Sequence, residues 1–109
     1  MNVIFHIDET AKWPVLLSNV QHFQEWLAAQ SDNSTLEILI NGEAVTGALS
    51  GSDIDLGLLA RSVNVVVCAN SMHQRNLKQT QLQGGIDVVP SGVVELAQRQ
   101  HHGFAYIKP

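Results

Sequence analysis

The residue with the clearest chemical potential is Cys68, the only cysteine in the chain. It follows the segment 63–67, in which four of the five residues are valine, and such a run is typical of a strand buried on both faces. Asn70 and Ser71 come next, and both residue types commonly cap the start of a helix. A thiol between a strand end and a helix start lies near unpaired backbone N–H groups, which favour the reactive thiolate. We therefore predict that Cys68 is a nucleophile and that Asn70 and Ser71 help to stabilise its thiolate or a bound anion.

The alternative interpretation of Cys68 is structural, since free cysteine is among the most deeply buried residue types. A second candidate is His6, which lies in an apolar segment near the N-terminus. Histidine could orient or deprotonate the thiol, because the first strand of such a fold commonly lies near the centre of the sheet. A lone histidine in an apolar strand is more often a core residue with satisfied hydrogen bonds.

Four more candidate binding residues follow predicted strands: Asn41, Gly42, Ser91 and Gly92. Asn41 and Gly42 read as a strand-to-helix loop, in which Gly42 would supply an unusual backbone angle. Ser91 and Gly92 read as a helix cap and a tight turn, or as a second small anion-binding nest if the loops converge. The sequence predicts no metal site and no cofactor, because His101 and His102 are adjacent and cannot both face one metal from a helix.

Composition narrows the class of protein. The chain has 109 residues, a net charge of −4 and only six Lys and Arg residues, so we predict one domain over residues 1–109. The absence of a basic patch argues against nucleic acid and anionic membranes as partners. A single cysteine excludes an intramolecular disulfide and fits a reducing, cytoplasmic location. The low share of charged residues, 15%, favours a homo-oligomer.

Strand-like and helix-like segments alternate from one end of the chain to the other. Strands are predicted at residues 3–7, 36–40, 63–68, 86–89 and 104–107, and helices at 12–30, 43–49, 53–60, 71–80 and from 92 onward. This alternation predicts an α/β fold in three layers, with a parallel sheet between helices. In such a sheet the strand-to-helix loops gather at the carboxyl ends of the strands, where sites commonly form.

The chain resembles the DsrE/DsrF-like family of small α/β proteins associated with sulfur oxidation and sulfur relay. The resemblance is carried by His6, Lys12-Trp13, Asn19, and the segments 68–72, 88–96 and 103–109. It implies a five-stranded parallel sheet of the DsrE-like type and assembly into trimers or hexamers. It also implies that Cys68 matches the cysteine that carries a persulfide in the sulfur-relay members.

Two functions from different classes follow from these observations. The first is a cytoplasmic sulfur carrier, or an accessory of sulfurtransferases, that uses a persulfide on Cys68 and exchanges sulfur with donor and acceptor proteins. The second is a non-catalytic module that binds a small anion or a partner protein at the strand ends, with Cys68 structural. An accessible thiol of low pKa is required by the first function only.

Overall fold

The computed structural model describes residues 1–109 and contains one sheet of five parallel strands. The strands are β1 (Val3–Ile7), β2 (Leu36–Ile40), β3 (Asn64–Cys68), β4 (Asp87–Val89) and β5 (Ala105–Ile107). Their order across the sheet is β4-β3-β2-β1-β5. The three long strands are central and the two short strands form the edges, so the predicted five-stranded parallel sheet is confirmed.

Three α-helices accompany the sheet: α1 (Trp13–Ala29), α2 (Ala69–His73) and α3 (Gly92–His101). Helix α1 begins with Pro14 in its first turn, where the missing N–H group leaves no intrahelical bond unmade. Its buried residues recur at spacings of three, four and seven, which is typical of an amphipathic helix: Trp13, Leu16, Val20 and Leu27. None of the helices is long and apolar enough to cross a membrane.

The two faces of the sheet bury different sets of side chains. Phe5, Ile38 and Val65 belong to a core cluster of 19 buried residues that includes Leu16 and Val20 of α1. The alternate residues Ile4, Leu39 and Val66 form a smaller cluster against Leu96 of α3 and Phe104. Because side chains alternate along a strand, this division places α1 and α3 on opposite faces and produces the predicted three layers.

Helix α2 is shorter than the sequence predicted. We expected a helix over residues 71–80, but α2 ends at His73. Asn76 has φ +55°, and the N–H of Leu77 donates to the carbonyl of Met72 at 3.0 Å. A left-handed residue followed by this six-to-one hydrogen bond is the Schellman arrangement that terminates helices.

The two helices predicted between β2 and β3 are also wrong as α-helices. A 3-10 helix spans Gly42–Ala48, and a single 3-10 turn spans Leu59–Arg61. Much of the intervening chain wraps around the side chain of Gln83, whose amide donates to the carbonyls of Gly47, Leu49 and Ile54 at 3.2, 3.2 and 2.7 Å. Those carbonyls therefore have hydrogen-bond partners even though the segment forms no regular helix.

Candidate functional site

Cys68 is the last residue of β3 and also the N-cap of α2, which begins at Ala69. The predicted placement at a strand end is confirmed, but the predicted capping role of Asn70 and Ser71 is wrong. Both residues lie inside the first turn of the helix, and the helix starts without a capping hydrogen bond from a side chain.

The sulfur of Cys68 accepts a hydrogen bond from α3, since the N–H of Gly92 donates to Sγ at 3.2 Å. Donor groups of Ser71 and Asn70, in the first turn of α2, also lower the pKa of the thiol. Burial raises the pKa of Cys68, but the hydrogen bonds from these donors outweigh burial and leave the pKa below its usual value. The arrangement therefore favours the thiolate, the nucleophilic form of the side chain.

The hydroxyl of Ser71 is held in place from the neighbouring loop. The N–H of Gly42 donates to Ser71 Oγ at 2.9 Å, so the hydroxyl hydrogen is free to point at the sulfur. Gly42 has φ +58°, and a Cβ at this position would lie 3.2 Å from the carbonyl oxygen of Asp8. The prediction that Gly42 supplies an unusual backbone angle is confirmed.

Gly92 lets the start of α3 approach the cysteine closely. A Cβ on Gly92 would lie 3.1 Å from Cys68 Cβ, 3.2 Å from Leu39 Cδ1 and 3.4 Å from Asn41 Cβ. Ser91 occupies the N-cap position of α3, as predicted, although its hydroxyl makes no capping hydrogen bond. Glycine is thus the residue that allows an N–H group of α3 to reach Sγ.

Access to the thiol is narrow, since Cys68 is only 5% exposed. A cleft of about 400 Å³ lies one strand away, beside the start of α3. Val89, the register partner of Cys68 on β4, lines this cleft together with Pro90 and Ser91. A molecule that reacts with the thiol would therefore have to reach Cys68 from the rim of the sheet.

The ring of His6 does not bond to Cys68, contrary to the hypothesis that it acts on the thiol directly. Strand β2 lies between their strands. His6 Nδ1 lies 2.6 Å from the hydroxyl of Tyr106, and His6 Nε2 lies 2.8 Å from Asn41 Oδ1. Tyr106 is a neighbour of the candidate site that sequence analysis did not identify. No local pattern reveals this role, because Tyr106 meets His6 only through the pairing of β5 with β1.

A buried carboxyl pair lies on the same face of the sheet, under α3. Arg99 Nε is 3.2 Å from Glu37 Oε1 and 3.0 Å from Glu95 Oε2. Burial, a hydrogen bond to Glu95 and the charge of Glu95 raise the pKa of Glu37 to about 8, against the opposing charge of Arg99. No group of three or more His, Cys, Asp or Glu side chains is arranged to hold a metal ion.

Comparisons with known proteins agree with this architecture. The model of the DsrE/DsrF-like family matches residues 22–109. The chain belongs to the DsrE/DsrF-like family. This DsrE-like protein is similar to a solved structure, the protein of unknown function MTH1491 from Methanobacterium thermoautotrophicum, at 30% identity and a TM-score of 0.88. The match covers 99% of this chain and 98% of that chain, whereas a comparison with curated proteins found no match. The family is associated with sulfur relay in general.

Proposed function

We propose that this DsrE-like protein is a cytoplasmic sulfur carrier that holds sulfane sulfur as a persulfide on Cys68. The observation that carries the proposal is the hydrogen bond from the N–H of Gly92 to Sγ, which together with donor groups of Ser71 and Asn70 lowers the pKa of the thiol. A thiolate at neutral pH is what attack on an incoming sulfur requires. Membership in a family associated with sulfur relay supports the same conclusion.

The proposed chemistry is two successive thiol exchanges. In the loading step, the Cys68 thiolate attacks the outer sulfur of a donor persulfide. A new S–S bond forms at Cys68, the S–S bond of the donor breaks, and the donor leaves as a thiolate that takes up a proton from water. In the unloading step, the thiolate of an acceptor attacks the outer sulfur and Cys68 leaves as a thiolate. No external oxidant or reductant is consumed.

A carrier of this kind depends on other molecules. Because Cys68 is the only cysteine, no second thiol in the chain can resolve the persulfide, so donor and acceptor proteins must supply the exchange partners. A reducing compartment such as the cytoplasm would keep both partner thiols available. We also propose a homo-oligomer, because the apolar residues Val93 and Val94 are exposed in the first turn of α3. The family resemblance implies that this oligomer is a trimer or hexamer.

Cyanide-induced sulfur release tests this function. The purified protein is exposed briefly to polysulfide, desalted and treated with cyanide, which takes the outer sulfur of a persulfide and forms thiocyanate. We expect close to one thiocyanate per chain for the wild type and none for Cys68→Ser, which changes one atom of a side chain and is expected to fold normally. Equal release from both proteins would show that the sulfur is not on Cys68 and would contradict the proposal.

A second function is favoured by one observation, the near-complete burial of Cys68. In that alternative the protein is a non-catalytic module that binds a small anion or a partner protein at the strand ends, with the thiol as a packing residue. A folded wild type that releases no thiocyanate, and whose thiol resists alkylation, would support this alternative over the carrier.

A further inference from the structure

One face of the sheet carries a diagonal row of polar side chains that ends at the cysteine. The row consists of Tyr106 on β5, His6 on β1, Asn41 at the end of β2 and Cys68 at the end of β3. Each member lies on the next strand across the sheet. Three apolar side chains of the same face, Ile4, Leu39 and Val66, form a buried cluster, and His6 is only 8% exposed. A buried polar side chain is costly unless it has hydrogen-bond partners, which His6 finds in Tyr106 and Asn41.

Strand register places Asn41 beside Cys68 on the α3 face. Ile40 pairs with Val67, and both belong to the core cluster on the α1 face. The next residue on each strand, Asn41 and Cys68, therefore points to the opposite face. Gly92 of α3 lies over both of them, since a Cβ there would be 3.4 Å from Asn41 Cβ and 3.1 Å from Cys68 Cβ.

The hydrogen bonds of the row fix its donors and acceptors. Asn41 Oδ1 is an acceptor, so the His6 Nε2 atom that lies 2.8 Å away must carry the hydrogen. In the neutral ring Nδ1 is then the acceptor, and the Tyr106 hydroxyl donates to it across 2.6 Å. The amide oxygen of Asn41 is thereby held toward His6 on β1. The NH₂ group lies on the other side of the planar amide and so faces away from His6, and β3 is the strand that borders β2 opposite β1.

We propose that the NH₂ group of Asn41 donates a hydrogen bond to the outer sulfur of the Cys68 persulfide, with His6 and Tyr106 acting as positioning residues. The inference rests on the proposed carrier function and assigns different residues to the two sulfur atoms of the persulfide. Gly92 and Ser71 stabilise the inner sulfur, which is also the sulfur of the unloaded thiolate. Asn41 would donate to the outer sulfur, which is present only in the loaded state.

A competition experiment tests whether Asn41 stabilises the loaded state. Wild type and Asn41→Ala are mixed at equal concentration with a limiting amount of polysulfide and a trace of glutathione, which lets sulfur exchange to equilibrium. Intact-mass spectrometry resolves the loaded and unloaded forms of both proteins. A hydrogen bond to a charged sulfur predicts a loaded-to-unloaded ratio about tenfold higher for the wild type.

Two further variants separate positioning from general structural damage. Asn41→Asp keeps the oxygen that accepts from His6 but replaces the NH₂ donor with a like charge, so we expect it to lose more sulfur than Asn41→Ala. Tyr106→Phe removes the hydroxyl that holds His6 in its tautomer, so we expect a smaller loss in the same direction. The alkylation rate of the unloaded thiol should be unchanged in Asn41→Ala and Tyr106→Phe, whereas the carboxylate of Asn41→Asp should slow alkylation because it repels the thiolate. Asn33→Ala, in the loop before β2, is the matched control and should share sulfur equally with the wild type.

The possible outcomes separate the role of Asn41 from the proposed sulfur-carrier function. Equal sharing between the wild type and the Asn41 variants would overturn this inference and leave the carrier function standing. A change in the alkylation rate of the unloaded thiol in Asn41→Ala that matches its loss of sulfur would also overturn it, because Asn41 would then act on the cysteine itself. Failure of the wild type to load would overturn the carrier function and this inference together.

Discussion

At the scale of single residues, the pKa of Cys68 is set by competition between burial and hydrogen bonding. Burial raises the pKa, whereas the donors from Ser71, Gly92 and Asn70 lower it and prevail. We expect the rate of alkylation by iodoacetamide to reach half its maximum at a pH below about 8.5, the usual value for a free thiol. A model peptide with one free cysteine is the reference. Reaction only at alkaline pH, or only after unfolding, would contradict the expectation.

The second residue-scale prediction concerns Gly92. In Gly92→Ala the new methyl group would press on Cys68 Cβ and Leu39 Cδ1, at 3.1 and 3.2 Å. Helix α3 must then move outward, which we expect to lower the free energy of unfolding by about 1–3 kcal/mol and to raise the pKa of Cys68 as the N–H group withdraws. Chemical denaturation and the alkylation profile measure the two effects.

Gly84→Ala is the matched control for this substitution, because a Cβ on Gly84 would meet nothing within 4 Å. The control should leave the pKa of Cys68 unchanged. If Gly92→Ala leaves both stability and the pKa as they are in the control, the close approach of α3 does not determine the state of the thiol.

Sequence reasoning located the cysteine but not its neighbours. The valine run and the polar residues after it were sufficient to place Cys68 at the end of a strand, because both signals are local. The partners of His6 could not be found in this way, since Tyr106 is 100 residues away and meets His6 only through strand order and register. Gly92 read as a turn residue, and its proximity to Cys68 depends on how α3 lies across the sheet.

At the scale of elements, α3 is attached to the sheet at two points, Gly92 at Cys68 and the pair Glu95 and Arg99 at Glu37. The second point is sensitive to pH. Glu37 has its pKa raised to about 8, so the folded protein retains a proton that the unfolded chain has lost above pH ~4.3. The folded state then binds more protons than the unfolded state, and stability must fall as pH rises from about 5 to 8.

We expect the contribution of Glu37 to lower the free energy of unfolding by at most about 1.4 kcal/mol per pH unit in this range. Glu37→Gln cannot ionise and should remove that slope. Urea denaturation at a series of pH values, with both proteins in the same buffers, measures the difference. Parallel pH profiles for the wild type and Glu37→Gln would show that the Glu37 carboxyl is not protonated in the folded state.

Helices and strands could be predicted from the sequence where the pattern of apolar residues is local and strong. Helix α1 and the central strands follow from the spacing of apolar residues. The early end of α2 was missed because it depends on the left-handed conformation of Asn76, a residue type that helices also accommodate. The irregular segment before β3 was missed because Gln83, distant in sequence, supplies its hydrogen bonds.

At the scale of the whole molecule, the alternation of strands and helices was sufficient to predict the parallel sheet and its three layers. Assembly remains a prediction. Val93 is 69% exposed on α3, next to Val94, and we expect such residues to be covered in a homo-oligomer. Light scattering after size exclusion should give a mass three or six times 11.9 kDa.

The double substitution Val93→Lys and Val94→Lys should reduce the size of this assembly without unfolding the chain, since both side chains point into solvent. Lysine at Val15, an exposed position on α1, is the control and should leave the assembly intact. A wild type that is monomeric at micromolar concentration would contradict the expectation. Assembly that is unchanged by the double substitution would place the interface elsewhere.

The most direct measurement of the central claim is the intact mass of the native protein after brief exposure to polysulfide, or to thiosulfate with a sulfurtransferase. The wild type and Cys68→Ser are measured together, before and after treatment with a reductant. A sulfur carrier predicts a gain of one sulfur atom on the wild type alone, which the reductant removes. An unchanged mass for a wild type that is folded, together with a thiol that resists alkylation, would contradict the claim that Cys68 carries sulfur.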